Sequence, residues 1–164
     1  FVYGKAINLG KGEYGQAVLS KHPIKSSLVH LLPSKGEQRI VLETRVMIDE
    51  VEIPFCSVHL DHKSEEVRVG QAKAFLEKVA KYPRLILCGD FNAGVDSETM
   101  GLFKKTMVVI PKAKVESTRF DGSGPVDIDF CVVRLAGVKG LTKVLDEKVA
   151  SDHKPIVTTL KWEE

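Results

Sequence analysis

The sequence predicts a mixed α/β (α+β) fold, rich in strands and poor in helices. Three observations predict it. Several short runs are dense in β-branched and aromatic residues, as strands are. One stretch keeps clear helical spacing. Two of the strand runs stand close enough to form a hairpin, beside a stretch that reads strand–helix–strand.

Composition fits this reading. The chain has 164 residues, 43% hydrophobic and 28% charged, the balance of an ordinary globular protein. That length suits one domain over residues 1–164. No apolar stretch is long enough to span a bilayer, and no repeat recurs at a fixed period. The net charge of +2 gives no bulk signal for a nucleic-acid partner, although clustering of charge matters more than its total.

In chain order, "QAVLS" (16–20) is a short apolar run stopped by "KHPIK". "RIVLETRVMID" (39–49) alternates as a half-buried strand does, and "VEIPFCSVHL" (51–60) follows after Asp49 and Glu50, predicting a hairpin. Ser64 is an N-cap candidate with Glu65 and Glu66 in the first turn. Ala72, Phe75, Leu76 and Val79 then keep helical spacing until Pro83, so a helix is expected over 64–81. "RLILCG" reads as a strand, and a shorter helix is expected from Asp96 through "SETMGLFKK". "DIDFCVVR", "VKGLTKVL" and "IVTTLKW" complete the strands. "GSG" at 122–124 is too short for a nucleophile elbow and reads as a loop.

Cys56, Cys88 and Cys131 each sit inside an apolar run. An odd number without CxxC spacing argues against a zinc site or a disulfide framework. Buried thiols in strands are the expectation, which leans toward a cytoplasmic, reducing compartment. The chain opens on Phe1, so a secreted or periplasmic protein with its signal peptide removed is the alternative.

Polar residues gather at the ends of the strand runs. His59 ends "FCSVHL", Asp90 and Asn92 follow "LILCG", Asp129 interrupts "VDIDFCVV", and Asp152 and His153 precede "KPIVTTL". Open α/β folds place their sites where strand ends converge. Carboxylates hold a hard cation or orient water, histidines move protons near neutral pH, and an amide donates to a phosphate oxygen. Each residue also has a plainer reading. Gly-Asp-Phe-Asn is good turn chemistry, and Ser151-Asp152-His153 would serve as a loop cap. His59 and His62 have HxxH spacing, but no third ligand follows at zinc spacing. Asp129 is the hardest to explain so, because an unpaired buried carboxylate is costly.

"EYGQAVLSKHPI", "SVHLDHKSEEVRVGQAKAFL", "LILCGDFNAGVDSE", "DIDFCVV" and "ASDHKPIVTTL", in that order, resemble successive motifs of the endonuclease/exonuclease/phosphatase superfamily, the DNase I-like metal-dependent phosphohydrolases. The resemblance covers nearly the whole chain. It implies a layered β-sandwich with flanking helices and hydrolysis of phosphate esters with Mg2+ or Mn2+. It also implies roles. Asp90 would orient and deprotonate water, and Asn92 would hold a phosphate oxygen. His153, its tautomer set by Asp129, would stabilise the pentavalent phosphorus. Asp152, with Asp90, would lie at the metal, and His59 would protonate the leaving oxygen. Arg39, in "EQRIVL", is a further candidate for a phosphate contact, while Arg68 and Gln71 would fix loops.

Against the family pattern the chain reads as N-terminally truncated. The family opens with strands carrying an Asn and, in a pattern like "QEV", the Glu that is its main magnesium ligand. Glu13, placed in a Gly-rich loop, and Glu43, placed mid-strand, do not replace that Glu. Weak magnesium binding, low or absent turnover, and an exposed sheet edge that a homodimer would cover are therefore expected. The alternative to an enzyme is a non-catalytic binding or self-associating protein of the same fold. The substrate class, whether nucleic acid, lipid head group or small phosphate ester, stays open.

Overall fold

The computed structural model describes residues 1–120 and 126–163. Its chain order is β1 (Val2–Leu9), β2 (Gly12–Val18), β3 (Ile24–Leu31), β4 (Ile40–Ile48), β5 (Val51–His59), α1 (Glu65–Lys78), β6 (Leu85–Asp90), α2 (Glu98–Lys104), β7 (Val108–Val109), β8 (Asp129–Arg134), β9 (Lys139–Val144) and β10 (Ile156–Lys161). Six strands form one sheet in the order β3-β4-β5-β6-β8-β7. β1-β2 and β9-β10 form separate two-stranded antiparallel hairpins. The architecture is mixed, built on a central six-stranded sheet with two helices among the described residues.

The central strands are buried on both faces, and period 2 divides their side chains. Leu85 and Leu87 of β6 join Phe130 and Val132 of β8 in one apolar cluster with Ala72 and Phe75 of α1. The alternate residues Ile86, Cys131 and Val133 join a second cluster with Leu160 and Trp162 beside β9-β10. Helices therefore cover one face and the β9-β10 hairpin the other. β1-β2 packs against β4 and β5, where Gly4 lies against the ends of Leu42 and Ile40.

The β4-β5 hairpin closes through Asp49 and Glu50 with φ of 47° and 64°. Positive φ at both turn residues matches the right-handed twist of the strands. α1 is the crossover that lets β5 and β6 run parallel. Its Ser64 cap accepts from Val67 N, and Glu65 and Glu66 sit in the first turn. Pro54 falls in β5 just before that strand meets β6 at Phe55, so its missing N–H costs the ladder little.

Several expectations need correction. α1 ends at Lys78, with Val79 as cap, three residues short of 81. α2 starts at Glu98 behind a Ser97 cap, not at Asp96. β2 spans Gly12–Val18, and Leu19 beyond it is 80% exposed. Glu13 is thus in a strand, opposite Asn8, and not in a loop. β1 and β3 are strands where none was expected. The "GSG" loop lies outside the described residues.

Candidate active site

Three strand ends meet on one rung of the sheet. The register of β5 and β6 sets His59 beside Asp90, and that of β6 and β8 sets Asp90 beside Asp129. Gly89 makes the approach possible. Its φ is 142°, and a Cβ there would stand 2.0 Å from the Val58 carbonyl oxygen. Only glycine fits both demands.

Beyond Asp90 the chain turns sharply. Asn92 has φ 49°, its N–H donates to Asp90 Oδ1 at 2.7 Å, and its Nδ2 donates to the Leu60 carbonyl at 3.0 Å. Between them Phe91 is fully buried, edge-on to Phe103 and Phe130. The buried ring pins the turn while Asp90 and Asn92 stay at the cleft.

His153 Nδ1 lies 2.8 Å from Asp129 Oδ2. An ionised carboxylate only accepts, so Nδ1–H donates and Nε2 is left toward Asp90 Oδ2, 3.9 Å away. Asp129 is held by its own N–H on Thr118 Oγ1, at 3.2 Å. His59 stands on the other side of Asp90. Its Nε2 is 3.3 Å from Asp90 Oδ2 and its Nδ1 is 2.8 Å from the Tyr14 hydroxyl. Neutral His59 satisfies both contacts by accepting from Tyr14 at Nδ1 and donating from Nε2.

Burial, and then the neighbouring Asp129 charge, push Asp90 up to about 6, beyond what its Asn92 N–H and the cations nearby recover. Burial first, then the charges of Arg39 and His153, push His59 down to about 4. The rung therefore holds a carboxylate whose pKa lies only about one unit below neutral pH and a histidine without charge.

These side chains line one cleft of about 470 Å³. His59, Asp90, Asn92, Asp129, Asp152, His153 and Arg39 all contribute. Arg68 and Gln71 do not. Arg68 donates to the Asp61 carbonyl, and Gln71 bridges Asp61 N and the Pro33 carbonyl. Tyr14, His62, Arg119 and Ser151 also line the cleft. In the sequence Tyr14 and Ser151 lie inside the family-like motifs without an assigned role, His62 shows only the HxxH spacing of a metal ligand, and Arg119 carries no signal.

Among the described residues, Asp90, Asp129 and His153 form a group whose donor atoms lie within 4.8 Å of one another. Asp152, exposed on the rim, is outside that group. Two carboxylates so close that the Asp129 charge helps raise Asp90 suit a hard cation, which takes oxygen ligands and would relieve the repulsion.

The model of the endonuclease/exonuclease/phosphatase family matches residues 2–153. The chain belongs to that family. The endonuclease/exonuclease/phosphatase family is one of phosphoesterase-type hydrolases that use a divalent metal. A member from Bacteroides vulgatus is 20% identical and superposes with a TM-score of 0.76, over 99% of this chain and 76% of that one. A mannosyl-6-phosphatase from Bacteroides thetaiotaomicron is 23% identical, with a TM-score of 0.71 over 87% and 68%. A double mutant of the beta toxin from Staphylococcus aureus with bound magnesium ions is 16% identical, with a TM-score of 0.69 over 88% and 66%. The chain thus spans about two thirds of the last two. Identities this low show a shared fold and nothing finer. A search of curated proteins finds no match. Among the described residues no helix is long and apolar enough to cross a membrane.

Proposed function

We propose that this chain is a divalent-metal-dependent hydrolase of phosphate esters and that the rung of His59, Asp90 and Asp129, with His153, is its reacting centre. The observation that carries this reading is the pairing of His153 with Asp129 next to a carboxylate raised to about 6. A general base works best when its pKa lies near the working pH.

Asp90 takes a proton from water as the water oxygen bonds phosphorus. Asn92, its amide oriented by the Leu60 carbonyl, holds a non-bridging oxygen. With a proton on each ring nitrogen, His153 keeps Nδ1–H on Asp129 and donates from Nε2–H to the charge that builds on the phosphoryl group. The phosphorus–oxygen bond to the leaving group then breaks. Burial and the nearby charge of Arg39 hold His59 neutral, so it supplies a proton to the leaving oxygen only after the substrate's negative charge has raised its pKa. A Mg2+ or Mn2+ ion, held by Asp90 with Asp129 or Asp152, would supply charge neutralisation at the phosphate. With Asp129 spent on His153 and Asp152 exposed, that ion should bind weakly.

The same shortage of free donors favours the second reading, a phosphate-binding protein that does not turn over. Hydrolysis of small phosphate esters, measured with Mg2+ or Mn2+ and again after chelation, separates the two. The enzyme reading expects activity that chelation removes and that Asp90→Asn lowers about 10²–10⁴-fold. Activity indifferent to both treatments would contradict it, and orthophosphate binding without turnover would favour the second reading.

A further inference from the structure

His62 lies on the loop between β5 and α1, exposed on the cleft wall. Its Nδ1 stands 2.9 Å from Nη2 of Arg39. A guanidinium has donors and no acceptor. Arg39 therefore donates, Nδ1 accepts, and the ring proton of His62 must sit on Nε2. The opposite tautomer and the doubly protonated ring would each set two donors against one another.

Arg39 is buried, only 4% exposed, and among the described residues its Nε and Nη1 find no hydrogen-bond partner. Glu37 lies 3.1 Å from Nη1 as an ion pair whose geometry falls short of a hydrogen bond. An incompletely satisfied positive charge thus stands behind a neutral ring that presents one N–H.

The loop that carries this ring is built, not loose. The Asp61 carboxylate accepts from the N–H groups of Lys63 and Ser64, both at 2.8 Å. Gln71, fully buried, accepts from Asp61 N at 2.9 Å and donates to the Pro33 carbonyl at 3.0 Å. On the facing segment the Arg39 N–H donates to Ser34 Oγ at 3.1 Å. Such a framework fixes the position of an exposed side chain that contributes nothing to the core.

Sheet order decides where the pair acts. Arg39 enters β4 and His62 follows β5, to one side of Asp90 on β6; Asp129 and its partner His153 lie on the β8 side. Donors therefore flank the centre on two sides. A terminal phosphate, with three non-bridging oxygens and two negative charges, can meet both flanks and Asn92 together. A diester has two such oxygens and continues as chain at both ends. The cleft, about 470 Å³, is the size of a small-molecule site.

We infer that His62, its tautomer set by Arg39, is a substrate-binding residue whose Nε2–H donates to an oxygen of a terminal phosphate, and that this site prefers phosphomonoesters to diesters. The inference rests on the phosphoesterase reading of the cleft, and its test keeps the two apart. Nitrogen NMR of the metal-free protein should find the His62 ring proton on Nε2. Calorimetry with orthophosphate in excess Mg2+ should show affinity about tenfold or more weaker in His62→Ala, as loss of a hydrogen bond to a charged group predicts. His62→Gln, which keeps an N–H donor, should recover part of it. With phenyl phosphate, His62→Ala should raise KM and leave kcat within about twofold, while KM for a bis-aryl phosphodiester stays unmoved. A ring proton on Nδ1, no orthophosphate binding by the wild type, or equal affinity in wild type and His62→Ala overturns the subsite. Equal KM changes with both esters overturn the monoester preference. Phosphate binding through His62 with no hydrolysis of either ester upholds the subsite and sinks the hydrolase reading.

Discussion

The middle of β4 and the end of β6 each carry a half- to fully buried carboxylate, and the fold treats them in opposite ways. Glu43 is 2% exposed and accepts from His30 at 2.7 Å, from Tyr82 at 3.3 Å, and from Arg45 at 2.7 Å. Burial alone would raise its pKa, but the His30 bond, the Arg45 charge and the Tyr82 bond together hold it below the usual carboxylate range. Asp90, with a side chain 14% exposed, receives one backbone N–H and faces another carboxylate, and it rises to about 6. The first charge is compensated and serves structure. The second is left partly uncompensated, as groups that react often are.

The largest effect should come from breaking the compensated site. Glu43→Ala leaves His30 and Arg45 facing a void, and removing one partner from a buried ion pair typically costs about 3–5 kcal/mol. Denaturant unfolding should show that loss, and a change below about 1 kcal/mol would mean that the network is not the support described.

The opposite sign is expected at β6. A carboxyl held near 6 instead of 3.8 costs the folded chain about 3 kcal/mol at neutral pH. The folded state binds this proton more tightly than the unfolded state does. The resulting stabilisation is fully present below pH 3.8 and is lost as pH rises through 6. Asp90→Asn should therefore stabilise the metal-free protein by about 1–3 kcal/mol at pH 8 and leave it nearly unchanged at pH 4, while lowering hydrolysis. Equal stability at both pH values would remove the distinction between the two carboxylates.

Much of this contrast was legible in the sequence, and its gaps have physical causes. Asp90, Asn92 and Asp129 stood out because each ends or interrupts an apolar run that becomes a central strand, and His153 because it stands just before the run of β10. β3 did not stand out because it is an edge strand, with most of its residues exposed. Its one buried side chain, His30, is polar and is made tolerable only by Glu43 on the next strand. β1 was hidden by Gly4, which packs closely on side chains of β3 and β4 and which strand propensity counts against. Tyr14 reaches His59 across 45 residues because a hairpin packs over the sheet, a contact that no local pattern encodes. His62 was visible as half of an HxxH, but its role depends on Arg39, 23 residues earlier, and on which partner can donate.

The most direct test is to titrate the Asp90 carboxyl by carbon-13 NMR in the metal-free protein, with the same measurement on Glu43 as the internal contrast. The account predicts a midpoint near 6 for Asp90, moving down when Mg2+ is added, and a midpoint below the usual carboxylate range for Glu43. An Asp90 midpoint near 3.8 that Mg2+ leaves in place would contradict it.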